Sequence, residues 1–234
     1  MQKPAQPRVG LLGGTFDPVH HGHLNLAREV LQEFGLDRII FIPVSQSPHK
    51  QNSVPTSGVH RVRMLELAIR NESRFEISRM EIERGGISYT IDTVERIQAT
   101  LPGAELYLIL GMDAFRTLGT WKEGRRLFSL CHLILGARPG NPSAQSETTI
   151  KTWLRDMEIH YKEQERAGRV VWFGSATDEK RIACFQQNLV DISSTQIREN
   201  FQSGGRPKNQ LPPDVERYII QHHLYQARPQ PLSG

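Results

Sequence analysis

Two histidines three residues apart, His20 and His23, flank Gly22 within the segment Gly13-Gly14-Thr15-Phe16-Asp17-Pro18-Val19-His20-His21-Gly22-His23. Imidazoles serve two kinds of chemistry: a neutral ring nitrogen binds a metal, and a ring N–H donates to an anion. Three positions apart, the two rings share a face if both lie on the opening turn of a helix. Gly22 lets a ligand approach the backbone closely. The free N–H groups and positive dipole end of a helix start favour an anion there. A zinc pair needs a third and a fourth ligand, and no Cys or His cluster in the chain supplies an obvious one. Histidines used only as polar caps remain the other alternative. Gly13 and Gly14 by themselves permit a tight turn and nothing more. Their spacing fits neither the GxGxxG dinucleotide fingerprint nor the GxxxxGK[ST] phosphate loop.

A second stretch, Ile192-Ser193-Ser194-Thr195-Gln196-Ile197-Arg198, again places a strand end, hydroxyls and a helix start together. Serine and threonine oxygens satisfy the first N–H groups of a helix, and Arg198 falls near its first turn. Taken alone, this is an N-cap with a solvated arginine.

The elements that must position these residues follow from periodicity. Val9–Leu12 is a short apolar run ahead of the glycines, and Leu24, Ala27, Leu31 and Phe34 lie on one face of a helix that Gly35 stops. Arg38–Val44 is a continuous apolar run, as in a strand with both faces covered. Val59–Arg70 has helical spacing, and Phe75–Ser78 is a weaker strand. Val94, Ile97 and Leu101 belong to a helix broken by Pro102-Gly103. Glu105–Leu110 is the clearest internal strand, and it runs into Gly111-Met112-Asp113. Lys122–Phe128 is a basic helical piece and His132–Leu135 a strand. Ile150, Trp153, Leu154 and Met157 are spaced for one amphipathic helix in the polar stretch 141–169. Val170–Phe173 and Leu189–Ile192 are further strand candidates, and Pro212-Pro213-Asp214 opens a last helix through His222. Alternating strands and helices predict an α/β fold, a doubly wound, mostly parallel sheet with helices on both faces. One domain over 1–234, with its core at about 9–225, is expected, since no repeat or linker is visible.

Bulk properties narrow the function classes. The 234 residues carry a formal charge of +4 without any block of Lys/Arg, which gives no sign of a nucleic-acid arm and suits a basic cleft for small anions. Cys131 and Cys184 lack CxxC spacing, and the N-terminus has no apolar signal core, so a reducing, cytoplasmic setting without membrane attachment is expected. A homo-oligomer stays open.

Read together, the two stretches resemble the HxGH nucleotidyltransferase superfamily, and more closely the bacterial nicotinate-nucleotide adenylyltransferases. The resemblance rests on GGTFDPVHHGH at 13–23, SPHK at 47–50, SYTIDT at 88–93, LGMDAFRTLGTW at 110–121, ARPG at 137–140 and DISSTQIR at 191–198, in the family's order. It implies a Rossmann-like fold and transfer of AMP from ATP, with Mg²⁺, to nicotinate mononucleotide, giving deamido-NAD and pyrophosphate. It further implies a division of labour. His20, His23 and Arg198 are the catalytic contacts to ATP phosphates. Gly13, Gly14, Thr15, Phe16, Gly22, Ser194 and Thr195 surround the nucleotide, and Gly111 and Asp113 line its adenosine side. Tyr89, Thr90 and Trp121 shape the nicotinate pocket, with Trp121 stacking on the pyridine ring, and Lys50 and Arg138 are further phosphate anchors. No resident metal site is implied. Residues 141–187 are longer and more charged than the family pattern, so no role is carried into them. A pocket of N–H groups around Tyr89-Thr90 without a nearby acid prefers the nicotinate carboxylate to a neutral amide. The rivals are an enzyme preferring nicotinamide mononucleotide, a phosphopantetheine enzyme as a more distant option, and a non-catalytic module that binds nucleotides or nucleic acid.

Overall fold

In the computed structural model, residues 6–48, 54–137, 143–175, 180–188 and 192–226 are described. Eight strands form one sheet: β1 (Arg8–Gly14), β2 (Arg38–Pro43), β3 (Phe75–Ile77), β4 (Glu105–Gly111), β5 (His132–Ala137), β6 (Tyr161–Ala167), β7 (Val170–Ser175) and β8 (Arg181–Gln186). Their order is β3-β2-β1-β4-β5-β8-β7-β6. Every pair from β3 through β8 is parallel, whereas β7 runs antiparallel to both β8 and β6. The helices are α1 (His21–Glu33), α2 (Gly58–Ile69), α3 (Met80–Arg84), α4 (Thr90–Thr100), α5 (Met112–Arg116), α6 (Gly124–Leu130), α7 (Ser143–Asp156), α8 (Ser194–Gln202) and α9 (Pro213–Gln221), with a 3₁₀ turn at Leu118–Thr120.

The strands are apolar throughout because both faces are covered. Along β4, Leu106, Leu108 and Leu110 enter one core, while Tyr107 and Ile109 enter the other. The first core holds the apolar sides of α4, α5, α6 and α7, and the second those of α1, α2, α8 and α9. The chain therefore returns at its C-terminal end to pack beside its first helix. Strand order reverses between β1 and β4, and in such sheets ligands bind in the crevice beyond the strands' carboxyl ends at that switch.

Several expectations change. The helix expected from Leu24 starts at His21, with His20 as its N-cap. The basic helical piece expected over Lys122–Phe128 forms as α6 from Gly124 to Leu130. In the stretch 141–169 one helix was expected, but α7 is followed by β6, a polar strand of sequence Tyr-Lys-Glu-Gln-Glu-Arg-Ala. An edge strand needs no apolar alternation, and charge on it resists pairing with another chain. The strand expected at Leu189–Ile192 lies outside the described residues except for Ile192, which is in no strand. β8 instead uses the short run Ile182–Phe185, inserted between β5 and β7. Among the described residues no helix is long and apolar enough to cross a membrane.

At the opposite end of the parallel strands from that crevice, Arg8, Tyr107, Glu105 and His132 form a polar cluster. The Tyr107 hydroxyl accepts from Arg8 Nη2 at 2.7 Å and donates to Glu105 Oε2 at 2.7 Å. His132 Nδ1 accepts from the Arg181 N–H at 3.2 Å, so the neutral ring carries its proton on Nε2, 2.9 Å from Glu105 Oε1. Burial drives His132 down to about 4, with Glu105 opposing and Lys180 and Arg181 assisting. A folded-state value below the unfolded one means that the folded state binds fewer protons between those two values. Stability is then full above about pH 6.5 and declines as the pH falls toward 4. The variant His132→Gln keeps a donor to Glu105 but does not titrate. Urea unfolding of this variant at pH 7, 5.5 and 4.5 should show a loss shallower by up to about 1.4 kcal/mol per pH unit. Equal slopes in the two proteins would remove His132 from the acid response.

Candidate active site

A cleft of about 610 Å³ opens at the switch point. Its walls are the carboxyl ends of β1, β4 and β5 at Gly14, Gly111 and Gly136, together with the starts of α1 and α8. Of the residues expected on the ATP side, Gly14, Thr15, Phe16, His20, Gly22, His23, Gly111, Asp113, Ser194, Thr195 and Arg198 all line it. Gly13 does not.

The two helix starts are tied to one another through the first loop. Ser193 caps α8 by accepting the Thr195 N–H at 3.2 Å. Ser194 Oγ donates to the Pro18 carbonyl at 3.0 Å, and Arg198 Nη1 donates to the Asp17 carbonyl at 2.8 Å. Arg198 Nη2 also reaches Thr195 Oγ1 at 3.3 Å. Residues more than 170 positions apart in the chain thus share one wall.

The histidines are fixed by their surroundings. His20, 5% exposed, stacks on His23 with ring centroids 3.8 Å apart. His23 Nδ1 accepts the His20 backbone N–H at 3.3 Å, which leaves the proton of the neutral His23 ring on Nε2 as a donor. Phe16 meets His23 edge-on at 5.0 Å, and its own backbone is left-handed at φ 49°, a conformation rare for a bulky residue. Its ring is almost wholly buried, so it supports His23 more than it faces the cleft. Glycine is demanded at two places by close approach. A Cβ on Gly14 would lie 3.0 Å from the Phe16 ring, and one on Gly22 would lie 2.9 Å from His20 Nδ1. Among the described residues no group of three or more His, Cys, Asp or Glu could hold a metal ion.

The acceptor-side residues are not gathered into that cleft. Tyr89, the residue before α4, lines a separate groove of about 630 Å³. Lys122 Nζ sits 5.0 Å over the Tyr89 ring and pairs with Asp92 at 2.7 Å. Thr90 and Trp121 line neither opening; Trp121 Nε1 donates to Thr117 Oγ1 at 3.1 Å. Tyr89 and Trp121 rest on the same core as Met112, which does line the cleft. The surroundings of Tyr89-Thr90 are also not free of acid. Glu81, 3% exposed, accepts from Thr93 Oγ1 at 2.5 Å. Burial raises its carboxyl toward the neutral form, against hydrogen bonds from Thr93 and Ser88. Lys50 and Arg138 lie outside the described residues.

The cytidylyltransferase-like family matches residues 11–200. A protein of Desulfatibacillum aliphaticivorans named a probable nicotinate-nucleotide adenylyltransferase is 39% identical over 220 residues, covering 93% of this chain and 99% of the relative. One of the same name from Syntrophotalea carbinolica is 35% identical, covering 94% and 98%. The chain belongs to the nicotinate-nucleotide adenylyltransferases. In three dimensions it is similar to the nicotinic acid mononucleotide adenylyltransferase of Plasmodium falciparum solved with NaAD, with a TM-score of 0.71 over 94% of this chain and 98% of that one. At 18% identity that likeness shows the Rossmann-like fold.

The shape of this cleft also depends on residues that the motifs did not single out. Arg61, 2% exposed, lies on the inward face of α2. It donates to the carbonyls of Thr56, Thr15 and Val44 at 2.8 Å each, and to Ser45 at 3.4 Å. A cation four positions before Leu65 on an apolar face was the available sign. Asp17 was inside the motif, but nothing marked its carboxylate as buried.

Gly22→Ala separates support of the histidine from support of the fold. Gly22 lies in the first turn of α1, where alanine gains less than its advantage of about 1 kcal/mol over glycine in a helix interior, and its Cβ displaces the His20 ring. The expected outcome is a thermal midpoint near the parent's with turnover lower by roughly 10²-fold, as for one misplaced preorganised donor. Turnover within twofold of the parent would show that the close approach is without consequence.

Proposed function

We propose that this chain transfers the adenylyl group of ATP to nicotinate mononucleotide, forming deamido-NAD and pyrophosphate. The observation that carries the proposal is the junction of the α1 and α8 starts, where Ser194 and Arg198 bond to the carbonyls of the His20 loop at the sheet's switch point. It brings two candidate anion sites, each weak alone, onto one wall of the cleft, which supports the binding of a polyphosphate across both.

In this proposal His20 and His23 donate to phosphate oxygens, Arg198 neutralises developing charge, and Ser194 and Thr195 hold the far end of the triphosphate. Gly13, Gly14, Thr15, Phe16 and Gly22 form the loop around it, and Gly111 and Asp113 face the adenosine. Tyr89, Thr90 and Trp121 receive the nicotinate, with Lys50 and Arg138 on phosphate. The acceptor's phosphate oxygen attacks the α-phosphorus in line. A new P–O bond forms, the bond between the α-phosphorus and its bridging oxygen breaks, and that electron pair leaves with pyrophosphate. No covalent enzyme adduct and no strong base are required, because the nucleophile is already an anion. Catalysis is positioning and charge stabilisation. Mg²⁺ enters with ATP as its phosphate complex, since phosphate oxygens and water suit that ion. Both cysteines are free and buried, in keeping with a cytoplasmic enzyme.

Pyrophosphate release with ATP and each of nicotinate mononucleotide, nicotinamide mononucleotide and phosphopantetheine tests the proposal. The nicotinate compound should give the highest kcat/KM, and release with none of the three would favour a binding module. His20→Ala and His23→Ala should each lower turnover on the order of 10²–10³-fold while circular dichroism and the thermal midpoint stay near the parent's. Near-normal turnover in either folded variant would overturn the phosphate role of that histidine.

A further inference from the structure

Just after α9 the backbone is left-handed at two non-glycine positions, His223 and Tyr225. The helix ends in a Schellman arrangement, with the His223 N–H on the Ile220 carbonyl at 3.2 Å and the Leu224 N–H on the Ile219 carbonyl at 3.0 Å. The left-handed position of such a cap is ordinarily glycine; here it is His223, at φ 50°. Two residues later Tyr225 is left-handed again, at φ 63°. Strained conformations of this kind persist where the surroundings over-determine them, and they gather at functional sites.

The turn delivers the Tyr225 hydroxyl to Asp17 Oδ1 at 2.6 Å, across 208 residues of sequence. The Tyr225 ring also lies against Phe201 of α8, with centroids 6.4 Å apart. Asp17 is 6% exposed and forms part of the cleft wall. Its other carboxylate oxygen accepts the Thr56 N–H at 3.1 Å, and its carbonyl is the one that Arg198 holds. Burial raises the Tyr225 phenol further, beside the Asp17 carboxylate, so it stays protonated as a donor. The loop between β1 and α1 is therefore held from the segment before α2, from α8 and from the C-terminal turn.

We propose that Tyr225 is a positioning residue for the nucleotide: by holding the Asp17 carboxylate it keeps the loop between Gly14 and His20 in its ATP-binding shape before ATP arrives. The proposal rests on the adenylyl-transfer reading. Tyr225 touches no reacting atom; its effect passes through Asp17 and falls on ATP, not on the acceptor.

Tyr225→Phe removes the hydroxyl and keeps the ring on Phe201. Tyr218→Phe is the control: it breaks a 2.8 Å bond from α9 to His60, and neither residue lines the cleft. Steady-state kinetics and calorimetric binding of a non-hydrolysable ATP analogue are read on both variants and the parent. Tyr225→Phe should weaken the analogue and raise the ATP KM about tenfold, the scale of one hydrogen bond to a charged group. The KM for nicotinate mononucleotide should stay within twofold, and Tyr218→Phe should lower the thermal midpoint with both KM values unmoved. Unchanged analogue binding in a folded Tyr225→Phe protein overturns the proposal, as does an equal loss in the two variants, which marks a general structural effect. If the parent itself releases no pyrophosphate, the adenylyl-transfer reading fails. Analogue binding in parent and variant still decides the role of Tyr225.

Discussion

A guanidinium that is dry on all sides governs the geometry of this cleft. An ionised side chain leaves water only if its donors are satisfied and its charge is answered. Arg61 meets that demand with four bonds to backbone carbonyls, and Asp17 supplies the nearby negative charge. Those carbonyls belong to the loop after β1, the end of β2 and the segment before α2. Satisfying one cation thus fixes three chain segments at the sheet's carboxyl edge. The same burial lowers the arginine's affinity for its proton, the cost of keeping it there, and losing any one acceptor would leave part of that cost unanswered.

The remaining constraints are built on that frame. With the loop fixed, Phe16 takes a left-handed backbone and places its ring against His23, while the two imidazoles stack on each other and the His20 ring lies against Gly22. Glycine at position 22 is what lets the His20 ring keep this place, since the ring occupies the space of a side chain. The α8 start docks onto carbonyls of the same loop, so α1 and α8 are positioned by one element and not independently. Polar investment divides between the two ends of the sheet. The cluster of Arg8, Tyr107, Glu105 and His132 secures the end remote from the cleft, and the groups around Asp17 and Arg61 shape the end where the cleft opens.

Much of this was legible in the chain. The parallel strands announced themselves as apolar runs because both of their faces are covered, and the ends of β1 and α8 carried glycine, histidine and hydroxyl patterns tied to helix starts. β6 was not legible, because an edge strand can be polar without cost. β8 was passed over because four apolar residues, Ile182–Phe185, fit a strand or a buried turn of helix equally well. That Tyr89 lines a groove separate from the main cleft, and Trp121 neither opening, could not be read from motif order, which gives sequence and not direction.

The sequence by itself determined the class of fold, the two helix starts that meet at the cleft and the family, since each depends on residue type and short-range spacing. Only the tertiary structure decided that Asp17, Arg61 and Tyr225 converge on the loop between β1 and α1. The bonds that join them to that loop or to its aspartate span 39 to 208 positions of chain, and residue type alone does not mark partners at such separations. What distinguishes them is burial together with a satisfied partner, and both are properties of the packed molecule: a hydrogen bond gains its weight from the water excluded around it, and the chain excludes that water only once it has folded.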